Sequence, residues 1–379
     1  MMLKIAILGS RGIPPRYGGA ETFVYELSKR LKKTFEIYVT CETNKFGIDE
    51  FEGIKRVHIW AHHTPTITIP SIYDVIATLY MLKKVRDVKL FYYVAPDGVL
   101  ASVLAKLAGK KVIVNTDGIE WQRLLKRAKF VPWYLKPLYL ATAMYMLVME
   151  FLSCKIPHVT IADSIAIKEY LERTWRSRRT VYVAYGIRKL PDVREREARE
   201  ILSKLRLEPY GYFLTIGRIV AENNIHLEIK AFKKTSLNKK LVIVGPTDPR
   251  DPYVKYLFKL KKGDKRIMFT GSIYDMKTLA TLRKYCLAYI HPYTVGGTNP
   301  SLLEQLQYDR PIIAYDTAFH REVLGCSGIY FKSVMELANA ISMIKDDIQI
   351  TYYENQSKFF SWDLISRKYS IIFKTLLKS

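Results

Sequence analysis

The 379-residue sequence is 49% hydrophobic and 25% charged, with a formal net charge of +24. Such a chain fills two ordinary domains or one large one, and its composition excludes extended disorder. The basic excess is spread over both halves; it favours phosphate-bearing ligands, anionic lipid or nucleic acid without choosing among them.

In chain order, Lys4-Ile5-Ala6-Ile7-Leu8 reads as a buried strand broken by Gly9-Ser10-Arg11-Gly12. Because this strand follows the first residues directly, no signal peptide is expected. Ile13-Pro14-Pro15-Arg16-Tyr17-Gly18-Gly19 leads into a helix pattern over 20–32, with Phe23, Leu27 and Leu31 on one face. Strand, Gly-rich turn and helix open a Rossmann-type unit, yet the spacing is neither G-x-G-x-x-G nor a Walker motif. Strand-like runs recur at 36–40, 57–60, 89–94, 111–115 and 158–162, and helix patterns at 71–85, 98–108 and 134–153. That alternation predicts a parallel sheet with helices on both faces, and ligands bind beyond the carboxyl ends of such strands. Polar residues at those ends are His62, His63, Asp97, Asn115, Asp117, Glu120 and Asp163.

Residues 188–206 read as a basic linker and the first helix of a second unit. The alternation then restarts: 213–216 before Gly217-Arg218, a helix at 225–232, and strands at 241–244, 266–270, 288–291, 311–315 and 328–331. A helix pattern closes the chain at 360–376. The four cysteines (Cys41, Cys154, Cys286, Cys326) lie far apart without a C-x-x-C pair, which argues against a zinc site or disulfide framework and fits a reducing cytoplasm.

One stretch stands out. Gly296-Gly297-Thr298-Asn299-Pro300-Ser301-Leu302-Leu303-Glu304 follows a predicted strand and starts a helix, an order that points backbone N–H groups at an anion. Adjacent glycines let a bulky anion approach the main chain, Pro300 suits the first helical turn, and Glu304 falls one turn inside.

Tandem Rossmann-like units with Gly217-Arg218, Gly297-Thr298 and Glu304 in the second resemble the GT-B glycosyltransferases, and more closely the retaining family 4. Gly9-Ser10-Arg11-Gly12-Ile13-Pro14, Tyr17-Gly18-Gly19-Ala20-Glu21-Thr22, Asn115-Thr116-Asp117-Gly118-Ile119-Glu120-Trp121, Ala162-Asp163-Ser164 and Glu222-Asn223-Asn224 are similar to one branch of it. That branch includes rhamnosyltransferases of bacterial surface glycans. The resemblance implies an α/β GT-B fold, with two Rossmann-like domains facing across a cleft: 1–187 on the acceptor side, 188–358 for the nucleotide sugar, and a 359–379 helix packing back on the first. It implies transfer of a hexose or deoxyhexose, with retention, from a nucleotide-diphosphate sugar to a glycan acceptor. That acceptor is expected to be lipid-linked, in surface polysaccharide or glycoprotein glycan assembly. The donor is a substrate and no cofactor is expected. A cytoplasmic protein, at the cytoplasmic face of a membrane, is the expected setting.

Carried over by position, Glu304 would bind the ribose, backbone at Gly297, Thr298 and Asn299 the diphosphate, and Asn223 would lie among the nucleotide-sugar contacts. Arg218 would stabilise the leaving charge. Gly18 and Gly19 would lie near donor phosphate and sugar, with Asp117 and Glu120 contacting sugar or acceptor hydroxyls. The sequence departs from the family at three places. Asp117 stands where many members have histidine, Gly296 where a carboxylate is usual, and Asn223 where a lysine is usual. Arg11 or Arg16 could restore the missing positive charge. No D-x-D occurs, so metal-independent charge stabilisation by loop N–H groups and Arg218 is expected, with no metal site.

Two readings stay open for the basic, aromatic-interleaved stretch Trp121, Arg123, Lys126, Arg127, Lys129, Trp133 and Lys136: a patch that docks on anionic lipid, or a solvated face beside a buried helix. The apolar segment 138–154 reads as a core or surface-lying helix, since Glu150 would be costly in lipid. His62, His63 and His291 read as polar loop residues outside the catalytic set. A nucleic-acid-binding α/β protein and a GT-B sugar-nucleotide epimerase remain alternatives. The first lacks RNP, KH or helix-turn-helix patterns, so no nucleic-acid partner is expected.

Overall fold

Parallel strands buried on both faces need nearly unbroken apolar runs, and the chain supplies two sets of them. The computed structural model describes residues 2–15, 18–61, 70–345 and 353–378. The chain divides into two compact units, one of residues 1–121, 144–186 and 360–379, the other of 122–143 and 187–359.

The first unit contains β1 (Lys4–Leu8), β2 (Glu36–Thr43), β3 (Gly47–Phe51), β4 (Ile54–Trp60), β5 (Leu90–Tyr93), β6 (Lys111–Thr116), β7 (Val159–Ala162) and β8 (Thr180–Tyr182). They form one sheet in the order β3-β4-β2-β1-β5-β6-β7-β8, so the order reverses between β1 and β5. The sequence predicted a parallel sheet, and one edge departs from it: β3 pairs antiparallel with β4. A two-residue turn joins them, with Glu52 at φ 49° and Gly53 at φ 75°, the paired positive φ values that tight hairpins favour. Charged side chains hid this edge strand from a hydrophobicity reading; they pair across it as Arg56–Asp49 and Lys55–Glu50. The helix Trp362–Lys378 packs in this unit against the helix Gly19–Leu31. Phe23 lies 5.9 Å from Trp362 and 5.7 Å from Tyr369 between ring centroids, and the Tyr369 hydroxyl is 3.1 Å from that of Tyr92.

The second unit holds β9 (Tyr212–Ile216), β10 (Lys240–Val244), β11 (Ile267–Gly271), β12 (Ala288–His291), β13 (Ile312–Tyr315) and β14 (Ile329–Phe331). Their order is β11-β10-β9-β12-β13-β14, all parallel. Phe213, Leu241, Ile243, Ala288, Ile290 and Ile313 are fully buried in its core. The predicted 1–187 boundary needs one correction, because residues 122–143 group with this second unit. Burial and ion pairing explain it: Phe130 packs 4.8 Å from Tyr253 between ring centroids, and Arg127 forks onto Glu222, which is 1% exposed.

Candidate active site

In an open parallel sheet, the loops leaving the two strands that flank the order reversal splay apart and leave a crevice. In the second sheet those strands are β9 and β12. Gly217-Arg218 leaves β9, and the stretch containing Gly296–Glu304 leaves β12. Two close approaches hold the β9 exit. A Cβ on Gly217 would sit 1.9 Å from the Tyr293 hydroxyl, and one on Gly245 would sit 2.1 Å from the Gly217 carbonyl oxygen. Neither position accepts a larger residue without displacing its neighbours.

Side chains then tie the two loops together. Asn223 donates through Nδ2 to the Arg218 carbonyl at 2.7 Å. Asn224, at φ 53°, donates to the Pro292 carbonyl at 3.1 Å and to Thr294 Oγ1 at 2.7 Å. Asn223, expected among the nucleotide-sugar contacts, thus fixes the backbone that carries Arg218. The Arg218 side chain itself is exposed. Asn299 caps the helix Pro300–Gln305, its Oδ1 accepting from the Ser301 N–H at 2.9 Å. Thr298 is buried.

Glu304 is 7% exposed and sits between two arginines. Arg188 donates to Oε1 from Nε at 2.9 Å, and Arg283 donates to Oε2 from Nη2 at 2.9 Å. Arg283 is fully buried and reaches further, to the Ser301 carbonyl at 2.9 Å and Ser301 Oγ at 3.0 Å. The Ser301 hydroxyl in turn donates to the Ile216 carbonyl at 2.7 Å, joining the helix start to the end of β9. A carboxylate has about four acceptor positions, so the two arginines orient Glu304 and leave it capacity for ligand hydroxyls. Sequence reading missed Arg283 and Arg188, because a lone arginine in a helix and another in a linker carry no motif.

It also missed where positive charge near the β12 loop comes from. Glu120–Ala128 is a helix, and its residues from 122 onward belong to the second unit. Arg123 Nη2 lies 3.6 Å from the place a Cβ on Gly296 would occupy, and Lys126 Nζ bonds Thr294 Oγ1. Gly296 adopts φ +150°, which suits glycine, and its missing side chain leaves the guanidinium next to the loop. The one available signal was the run of basic residues at 121–136. Burial disfavours the Glu222 charge, but the fork from Arg127 outweighs this and holds its carboxyl below the ordinary range.

Beneath β9, Glu228 is fully buried and Thr215 Oγ1 lies 2.5 Å from its Oε2 and 2.9 Å from the Ile290 carbonyl. One hydroxyl proton cannot serve both acceptors. A protonated Glu228 that donates to Thr215, which then donates to Ile290, gives each of these two contacts its own proton, and burial pushes this carboxyl up to about 8.

In the first unit, Gly18 caps the helix Gly19–Leu31 and its carbonyl accepts from the Thr22 hydroxyl at 3.1 Å. Asp117 Oδ2 takes a long bond from the Tyr185 hydroxyl at 3.4 Å, and Glu120 starts the next helix. Asp97, at the end of β5, is pushed up to about 6 by burial, with repulsion from Asp117 and Glu120 adding to it. Asp74 is driven well above the ordinary carboxylate range, by burial first and Asp97 second. The first sheet's carboxyl edge thus gathers acidic groups, in contrast to the cationic loop of the second unit. Arg11 is exposed, whereas Arg16, His62 and His63 lie outside the described residues. His291 was expected in a polar loop; it is instead fully buried, 4.1 Å from the Tyr293 ring, and burial keeps it neutral.

Comparison with known proteins adds to this geometry. Residues 2–188 match the family model Domain of unknown function (DUF1972), and residues 197–356 match Glycosyl transferases group 1. No curated protein matches the chain. Sucrose-phosphate synthase from Thermosynechococcus elongatus is similar in structure, with a TM-score of 0.78, 15% identity and 99% of each chain covered. HepE from Anabaena, in complex with UDP and glucose, has a TM-score of 0.73 at 16% identity, covering 99% of this chain and 100% of its own. The α,α-trehalose 6-phosphate synthase of Burkholderia multivorans has a TM-score of 0.72 at 9% identity, covering 99% and 97%. At such identities the likeness is one of fold. Residues 197–356 thus match the group 1 glycosyl transferases, and the chain has the GT-B fold.

Proposed function

We propose that the protein transfers a hexose or deoxyhexose from a nucleotide-diphosphate sugar to a glycan acceptor. The observation that carries this reading is the set of cations at the order reversal of the second sheet: Arg218 after β9, with Arg123 and Lys126 beside the β12 loop. Departure of a nucleoside diphosphate concentrates negative charge on the leaving oxygens, and fixed cations and loop N–H groups lower that barrier without reorganising. Backbone at Gly297, Thr298 and Asn299 holds the diphosphate, and Glu304, oriented by Arg188 and Arg283, accepts from ribose hydroxyls. Arg123 and Lys126, rather than Arg11 or Arg16, take over the charge missing at Asn223. Three cations then do what a divalent ion held by D-x-D does in other transferases.

Gly18 and Gly19 are assigned to donor contacts, and Asp117 and Glu120 to hydroxyls of the sugar or acceptor. Membership of family 4, its rhamnosyltransferase-like branch, retention of configuration and a lipid-linked acceptor at the cytoplasmic membrane face rest on the motifs quoted above. HepE has been solved with UDP-glucose, which makes uridine donors the first to try. A thermal-shift panel of sugar nucleotides tests the reading, because a bound donor stabilises by RT ln(1 + [L]/Kd). One donor should raise Tm well beyond the rest; no shift with any nucleotide sugar or nucleoside diphosphate would refute the proposal.

A further inference from the structure

Among the described residues, the segment that follows the basic stretch keeps one apolar face largely exposed. Trp133–Leu135 forms a single 3-10 turn and Lys136–Ser153 a helix. Its inner side is engaged: Ala143, Met149, Glu150 and Ser153 are buried, Glu150 Oε1 accepts from the Tyr170 hydroxyl and the Trp175 indole N–H at 2.7 Å each, and the Ser153 carbonyl accepts from the Thr160 hydroxyl at 2.5 Å. The outer side repeats apolar residues at helical spacing: Leu140, Met144, Val148 and Phe151 are all exposed, Met144 by 62%. Trp133, 80% exposed, and Tyr134 extend the face at its start. A run of large exposed apolar side chains on one element is more than an ordinary soluble surface carries.

The length and composition of Trp133–Ser153 would suit a membrane span. The bonds of Glu150 and Ser153 instead fasten one side of the helix to the protein, so only the other side is available. Charge selects the occupant. The protein carries +24 overall, and Lys129, Lys136 and Lys155, which lie in or beside this segment in sequence, are exposed. Arg127 and Lys126, by contrast, are committed to Glu222 and Thr294. Trp and Tyr at the margin, lysines beside them and aliphatic residues between are the chemistry of the headgroup–acyl boundary.

We infer that the exposed face of Trp133–Ser153 docks flat on an anionic phospholipid surface, with Leu140, Met144, Val148 and Phe151 entering the acyl boundary and Lys129 and Lys136 meeting headgroups. This deepens the reading of a lipid-linked acceptor and rests on it for its purpose. Docking itself needs no donor. A flotation assay with the full chain tests it, using phosphatidylcholine vesicles with and without phosphatidylglycerol. The wild type should float with the anionic vesicles, and the double variant Met144→Glu, Val148→Glu should bind about tenfold more weakly or worse. Met335→Glu, at an exposed apolar position elsewhere, should leave flotation unchanged. The nucleoside-diphosphate thermal shift of each variant reports whether it is folded, and its absence in the wild type would count against the transferase reading alone. Flotation equal in wild type and double variant overturns the inference, as does no flotation of the wild type. A dimer in vesicle-free solution that Met144→Glu dissociates would also overturn it, assigning the face to a second copy.

Discussion

Glu228 offers a stability test whose sign and size both follow from its surroundings. Its side chain is fully buried under β9, and burial raises its carboxyl from 4.5 to about 8. Folding therefore holds a proton that the unfolded chain releases. The stabilisation is fully present below the unfolded value of 4.5 and is lost progressively as pH rises to about 8. At 1.36 kcal/mol per unit, the rise amounts to roughly 4–5 kcal/mol over that window. Glu228→Gln keeps the shape and a donor for Thr215 Oγ1 but removes the ionisation. Urea unfolding of both proteins from about pH 5 to about pH 8 isolates this group, since other titrations cancel in the difference. The two should be similar near pH 5, and the variant should become more stable by several kcal/mol towards pH 8. Parallel pH profiles would refute the buried, protonated carboxyl and with it the hydrogen-bond chain through Thr215 to Ile290.

Two further substitutions probe the donor half. Arg283→Met leaves the Glu304 and Ser301 acceptors without their buried partner and should cost about 3 kcal/mol, read by thermal denaturation. Arg188→Met at the other oxygen of Glu304, where the guanidinium is one-third exposed, should cost about 1 kcal/mol or less. Equal losses would contradict the division of labour between the two arginines. Arg123→Gln should weaken binding of the best nucleoside diphosphate about tenfold, the scale of one charge-assisted hydrogen bond, with the exposed Lys129→Gln unchanged. Unaltered affinity in Arg123→Gln would remove that guanidinium from the diphosphate site.

Much of the fold was legible because buried parallel strands write themselves as apolar runs: β1, β5 and β12 lie within the predicted segments, and β9 starts one residue before its own. β3 was not, since an edge strand faces water and its residues are chosen for charge pairing with β4. The Gly217 and Gly296–Glu304 loops could be read because close backbone approaches demand particular residue types at fixed spacing. Arg283, Arg188 and Arg123 could not, because each reaches the site from another element and only tertiary packing brings it there. The basic stretch was ambiguous for a related reason. Its cations divide by helix face, with Arg127 and Lys126 turned to partners inside the second unit and Lys129 to solvent. Composition cannot separate those two groups, and the apolar face lies one element further on.

On the reading proposed above, the Gly296–Glu304 stretch, with its arginines, holds a nucleotide-sugar donor for transfer. Release of nucleoside diphosphate from the best-binding sugar nucleotide, measured for the wild type and Glu304→Ala, tests it most directly. The wild type should turn over, and kcat/KM should fall about a hundredfold in the variant, on the scale of a lost charge-assisted contact. Equal turnover by both would contradict it.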